Sequence, residues 1–363
     1  MIKRRNKNMS RELKFFQALN EATDLCMAKD QSVYIMGLGV PDPKGIFGST
    51  LGLQQKYGNL RVMDMPVSEN AMTGVAIGSA LVGMRPIMTH QRIDFALLAV
   101  EQMVNQAAKW HYMFGGQMCV PLVIRMIIGR GWGQGAQHSQ SLEAWFAHVP
   151  GLKVVMPTTP YDAKGLLISS IEDNNPVIFI EHRWLYNIAG HVPEGIYRVP
   201  IGKAKVVRSG ADITIASTSY MTLESMRAAE ILAKDGVSTE VIDIRTLKPL
   251  DGDAIIESVK KTGRLIVVDS GYITGGIGAE VAARVVEKAF NHLKCPIRRI
   301  GLPDCPGPTS PALSKFYYPR SRHILKVVRE VLHLEETQGD IEFDALDDSV
   351  PHDVPDKYFT GPF

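Results

Sequence analysis

Arg61–Arg85, RVMDMPVSENAMTGVAIGSALVGMR, is the stretch from which the fold can be read. Met65-Pro66-Val67 is extended, since the residue ahead of a proline is pushed out of the helical region. Ala71–Val82 is a helix of small and aliphatic residues, and Arg85–Thr89 follows it as a strand. A helix apolar on every face does not lie on a surface. A buried helix feeding a strand is the repeating unit of a layered α/β protein.

The same alternation runs outward in both directions. Ser32–Gly37, Pro121–Met126, Leu152–Met156 and Pro176–Glu181 read as strands, with helical periodicity over Phe95–Tyr112 and Tyr161–Glu172. Strands apolar on both faces are what a buried parallel sheet requires. Tyr186–Gly202, with two prolines and three glycines, reads as a connection between domains. Beyond it a second α/β unit is expected, with strands Asp212–Ser217, Ser238–Ile244, Arg264–Asp269 and Pro296–Gly301. Its helices are Thr222–Asp235, Asp251–Thr262 and Ile277–Phe290. Asp251 is placed as an N-cap. Gly263 is placed as a C-cap behind Lys260 and Lys261, whose charges suit the negative end of the helix dipole. The expected division is therefore residues 1–195, 196–334 and a tail, 335–363. That tail holds nine acids and a single Lys357, and ends in YFTGPF. It is either disordered or an arm whose aromatics dock on a partner chain.

The 363 residues are 45% hydrophobic and 21% charged, which excludes a disordered chain, a coiled coil and a small disulfide scaffold. Forty Lys plus Arg against 38 Asp plus Glu leave a net charge of +2, so no field of one sign is built for nucleic acid or an anionic membrane. The longest near-apolar run, Ala71–Met84, falls short of the roughly 20 residues a membrane-spanning helix needs. Cys26, Cys119, Cys295 and Cys305 lie far apart without a CxxC pattern, as free thiols in a reducing compartment do. The basic start, Met1–Phe16, leads into no apolar secretion core, and a cytoplasmic protein is expected.

Two glycine clusters, Gly129–Gly135 and Gly275–Gly278, lack the dinucleotide spacing, and no Walker A pattern is present. The second cluster reads as a tight turn with close helix packing. Three other residues each read two ways. Glu69 is a favourable charge at a helix N-terminus, or a carboxylate drawn out of water for a task. Phe95 is a core residue at a helix start or a stacking surface. His138 is a solvated loop histidine or a catalytic one.

The sequence around these three resembles the β subunits of thiamine-diphosphate-dependent 2-oxo acid dehydrogenases. The likeness runs through RVMDMPVSENAMTGVAIGSALVGMRP, QMVNQAAKWHYMFGG, AQHSQSLEAWFAHVPGLKVVMPTTPYDAKGLL and EVIDIRTLKPLDGDAIIESVKKTGRLIVV, nearly collinear over residues 10–330. It implies a parallel-sheet pyrimidine-binding domain followed by a transketolase-type C-terminal α/β domain. It implies that Glu69 hydrogen-bonds N1′ of the cofactor's aminopyrimidine, that Phe95 stacks on that ring, and that His138 handles the 2-oxo acid or the acyl transfer. A proton held at N1′ favours the imino tautomer that deprotonates the thiazolium, and the ring then takes up electrons as carbon dioxide leaves. A potassium site built mainly from backbone carbonyls is implied at Leu122, Ser170, Ile171, Asp173 and Asn175.

The family's Gly-Asp-Gly with a distal Asn, which binds the magnesium-diphosphate end of thiamine diphosphate, is absent from this sequence and belongs in the family to the α chain. The resemblance therefore implies a β subunit active only with an α subunit, in a heterotetramer of two α and two β chains. Its small-molecule 2-oxo acid would lose carbon dioxide, and the acyl group would pass to the lipoyl domain of an acyltransferase. Two alternatives stand beside this: an acetoin-cleaving or ketol-forming relative, and a degenerate structural β chain, against which Glu69, Phe95 and His138 together weigh. Leu38 replaces an acid usual in the family. Thr89-His90-Gln91-Arg92 replaces a more acidic or apolar stretch, a change expected to reshape the pocket, and Asp269-Ser270 stands where His-Glu is common.

Overall fold

The computed structural model describes residues 11–130, 133–337, 339–340 and 354–355. In chain order its strands are β1 (Glu12–Lys14), β2 (Val33–Met36), β3 (Val62–Met63), β4 (Arg85–His90), β5 (Val123–Ile128), β6 (Lys153–Val155) and β7 (Val177–His182). They continue with β8 (Ala189–His191), β9 (Lys205–Arg208), β10 (Ile213–Ser217), β11 (Thr239–Asp243), β12 (Thr246–Lys248), β13 (Leu265–Tyr272) and β14 (Arg298–Leu302). One sheet has the order β12-β6-β7-β5-β4-β2-β3 and the other β14-β13-β10-β11-β9, while β1 and β8 pair alone. Both large sheets are parallel except at one edge, where β12 and β9 run antiparallel to their neighbours. This is the α/β architecture that the sequence predicts. The short strands β1, β3, β8, β9 and β12 carry too few apolar residues to be read in advance.

The central strands of the larger sheet are buried at every residue; β5 (VIRMII) and β7 (VIFIEH) have no exposed face. Helices cover both sides. The helix Pro160–Glu172 begins with Pro at its first position and Thr159 as N-cap, whose hydroxyl accepts from the Asp162 N–H at 3.1 Å. It is so deeply packed that Lys164 is 0% exposed, its ammonium bonded to Glu21 at 2.8 Å and to the Pro193 carbonyl at 2.7 Å. Gly263 ends the helix Gly252–Thr262 with φ +76°, as a left-handed C-cap. Asp251 stands at the N-cap of that helix as expected, but its side chain makes no capping bond there; its carboxylate accepts instead from the Ala204 N–H at 3.1 Å.

The helical run expected over Phe95–Tyr112 is broken. It starts as α-helix at Ile93–Ala96, tightens to 3₁₀ at Leu97–Ala99, widens to π at Gln102–Ala107 and returns to α at Trp110–Met113. Periodicity shows which side of a segment is buried, not its pitch. Here the side chains of Gln102 and Gln106 bond to Asn70 and Glu101 as the run packs on the small-residue helix Glu69–Leu81. Of the acidic tail, Asp340 pairs with Arg329, and the Val354 carbonyl accepts from Arg320. Most of residues 335–363 lies outside the described residues. Among the described residues no helix is long and apolar enough to cross a membrane.

Candidate functional site

Parallel sheets present their ligand sites at the carboxyl ends of the strands. At the ends of β4 and β5 a cavity of about 520 Å³ opens, lined by the Asp42–Phe47 loop, Gln91, Arg92, Phe95, Gln134 and His138 among others. After β4 the chain turns at Gln91, whose amide donates to the Leu38 carbonyl at 2.9 Å. It then enters the short helix that presents Phe95. After β5, Gly129 turns the backbone with φ +86° and leads to the loop that ends at His138. The two rings meet edge to face, with centroids 5.3 Å apart. A bond from the Gln140 amide to Asp94, 2.8 Å, ties the His138 loop to the helix of Phe95. Burial holds the Asp94 carboxyl above its usual range.

Phe95 and His138 are therefore brought together. Glu69 is not among the residues lining this cavity. It opens the helix Glu69–Leu81, which packs against the run carrying Phe95. The residue is 6% exposed, no described residue donates a hydrogen bond to its carboxylate, and the carboxylate oxygens are not among the wholly buried ones. A carboxylate that no described residue engages is free to take a donor from a bound ligand. That is the fit expected for a carboxylate that holds a proton on a bound ring nitrogen.

The five potassium candidates gather at the opposite, amino-terminal edge of the same strands. The carbonyls of Ile171 and Asp173 both accept from Arg85, at 3.0 and 3.1 Å. The Leu122 carbonyl accepts from the Val177 N–H at 2.9 Å, and that of Ser170 from the Asp173 N–H at 3.3 Å. The Asp173 carboxylate takes the Asn175 N–H at 2.9 Å. The oxygens suit a hard cation, but two of them already serve a guanidinium.

Other residues around the pocket include several that the sequence shows as departures from the family pattern. Leu38 is half-buried against the core, outside the cavity lining, and its carbonyl holds the Gln91 amide. His90, 2% exposed, has no partner on either ring nitrogen, and burial pulls it down to about 4, so it is neutral. Arg92, 3% exposed, donates to the Gly129 carbonyl at 2.5 Å and to the Gln134 side-chain oxygen at 2.6 Å. These bonds tie Arg92 to Gly129 at the start of the loop after β5 and to Gln134 further along it. Just beyond that loop Ser141 donates to Glu143 at 2.8 Å, and Glu143 faces Asp269.

Residues 11–188 match the transketolase pyrimidine binding domain and residues 202–324 the transketolase C-terminal domain. The chain is 45% identical over 334 residues to the acetoin:2,6-dichlorophenolindophenol oxidoreductase subunit beta of Cupriavidus necator, covering 89% of this chain and 98% of that protein. It is 44% identical over 322 residues to the pyruvate dehydrogenase E1 component subunit beta of Porphyra purpurea, covering 89% and 97%. A solved split-gene transketolase, an inactive β4 tetramer, shares the fold with a TM-score of 0.72 at 22% identity, over 89% of this chain and 99% of that one. The chain belongs to the transketolase-like family that holds the β subunits of thiamine-diphosphate-dependent 2-oxo acid dehydrogenases.

Proposed function

We propose that this protein is the catalytic β subunit of such a dehydrogenase: it decarboxylates a 2-oxo acid and, with an α subunit, passes the acyl group to a lipoyl domain. The observation that carries this is the Phe95–His138 pocket with, on the adjoining helix, a Glu69 carboxylate that takes no hydrogen bond from a described residue. Bound thiamine diphosphate supplies the electron sink for loss of carbon dioxide. Glu69 keeps a proton at N1′ of its aminopyrimidine, and Phe95 offers a ring face to it. His138, exposed on its loop, moves a proton to or from the 2-oxo acid or the departing acyl group. The magnesium-diphosphate half belongs to the α subunit, so the active sites of an assembly of two α and two β chains lie between subunits. Four free cysteines suit a reducing compartment, and we place the protein in the cytoplasm.

Potassium, if taken up, uses the second lone pairs of the Leu122, Ser170, Ile171 and Asp173 carbonyls with Asn175, beside Arg85. Exchanging potassium for lithium should then lower the melting temperature; equal melting in both salts means that Arg85 alone holds this corner.

The function is tested on the complex co-purified with an α chain bearing Gly-Asp-Gly. Dye-linked decarboxylation should require thiamine diphosphate, and Glu69→Gln should cut kcat by at least about 100-fold while leaving assembly intact. Activity from the β chain alone refutes the shared site. Acetoin turnover with no 2-oxo acid turnover selects the acetoin-cleaving alternative.

A further inference from the structure

We infer that Arg92 is a specificity residue: it binds an anionic group at the far end of the substrate, so that the preferred 2-oxo acid carries a second negative charge on its side chain. The inference rests on the 2-oxo acid function proposed above and names its substrate class.

Arg92 is buried at 3% exposure, yet it lines the cavity shared by Phe95 and His138. Its bonds go to neutral acceptors, the Gly129 carbonyl and the Gln134 side chain. Among the described residues no carboxylate forms an ion pair with it. Asp94, whose charge acts on it, accepts from Gln140 through one oxygen and makes no ion pair with Arg92. Its other charged neighbour is a cation: Arg92 and Arg183 both lie over the Phe47 ring, 5.8 and 4.6 Å from its centre. Burial, with Arg183 second, pulls Arg92 down to about 10, still charged at neutral pH. The cavity's remaining charged groups, Asp42 and Lys44, are exposed and oppose each other.

A buried cation without a counter-ion is costly. A guanidinium has five N–H donors, and the two loop bonds leave others for a planar anion. The 2-oxo acid's own carboxylate is an unsuitable partner, because its charge disappears as carbon dioxide forms. Gripping it would stabilise the ground state over the transition state. An anion at the other end of the substrate keeps its charge throughout, so binding it anchors the reacting carbon without that penalty.

The test uses the assembled enzyme with its α subunit, comparing kcat/KM for pyruvate and 2-oxobutyrate with that for 2-oxoglutarate, 2-oxoadipate and phosphohydroxypyruvate. At least one anionic substrate should exceed the neutral pair by about tenfold or more, dicarboxylate and phosphate being told apart by which does. Arg92→Gln should collapse that ratio by about 10- to 100-fold, and Arg92→Lys should restore part of it. Gln134→Leu, which frees the loop but keeps the guanidinium, should leave the ratio in place. A wild-type preference for the neutral acids overturns the inference, as does a ratio lost equally in Gln134→Leu, which makes Arg92 a loop clasp. An unchanged ratio in Arg92→Gln with a raised KM for thiamine diphosphate assigns the anion to the cofactor instead. No turnover of any 2-oxo acid overturns the underlying function, a different result from a flat ranking among acids that all react.

Discussion

Glu143, at the start of the helix Glu143–His148, faces Asp269 of β13 with both side chains almost wholly out of water. Burial first, then the charge of Asp269, pushes Glu143 up to about 8, and burial raises Asp269 as well. Two carboxylates in one dry site cannot both ionise, so they share a proton. The proton is held in the folded state and released in the unfolded one between about pH 4.5 and 8. Stability from this pair is therefore complete below the ordinary carboxylate range and is lost as pH rises toward 8. Glu143→Gln, which keeps a donor toward Asp269, should remove that decline. Its melting temperature should match the wild type near pH 5 and exceed it by about 3 °C or more at pH 8; parallel curves would show that no proton is shared. In the sequence Asp269 stood out only as a departure from the family pattern, and Glu143 not at all. The two meet through the packing of one half of the chain on the other, which local periodicity does not encode. Glu69, Phe95 and His138 are named as a set only through the family likeness, because each sits in a long collinear motif; the structure brings Phe95 and His138 together and puts Glu69 on the adjoining helix. Taken alone, each has an ordinary structural explanation.

At the scale of elements, strands and helices were legible wherever burial is two-sided or amphipathic, as in β5, β7 and the helix Gly252–Thr262. The glycine-rich turn after β5 was legible as a loop, but its purpose was not. Gly129 combines φ +86° with a close wall: a Cβ there would stand 2.6 Å from the His182 ring. His182 is itself fixed, accepting from the Trp184 N–H at 3.2 Å and stacking on Tyr220 at 5.1 Å. It cannot swing aside cheaply. Gly129→Ala should therefore cost about 2–4 kcal/mol, the sum of a left-handed backbone penalty and overpacking. In urea the midpoint should fall at constant slope. Because the Gly129 carbonyl also takes a bond from Arg92, the surviving folded fraction should turn over more slowly. A variant as stable as the wild type would mean that the loop relaxes around the new methyl.

For the whole molecule, the division into halves at the Tyr186–Gly202 connection does not produce separate cores. Both hydrophobic clusters run from the first sheet into the second, and β12, from the second half, forms the edge of the first sheet against β6. Arg245 is the joint. Its backbone is left-handed at φ +54°, strained for a residue with a Cβ, and its carbonyl accepts from the Met156 N–H at 2.7 Å. Its guanidinium crosses to Asp162 at 2.8 Å, a pair at 8% and 0% side-chain exposure. Beside them burial, and then the charge of Asp162, push Asp243 up to about 7, so removing the arginine would leave an acidic cluster without its cation. Arg245→Met should thus cost about 3–5 kcal/mol, chiefly from the stranded carboxylate, and Arg245→Met with Asp162→Asn should recover most of the loss. If the joint makes the halves one cooperative unit, calorimetry of the wild type should show one transition, and the single variant should melt lower or split into two. A wild type that already melts in two separated steps, with Arg245→Met moving neither, would mean that the halves fold independently and merely touch.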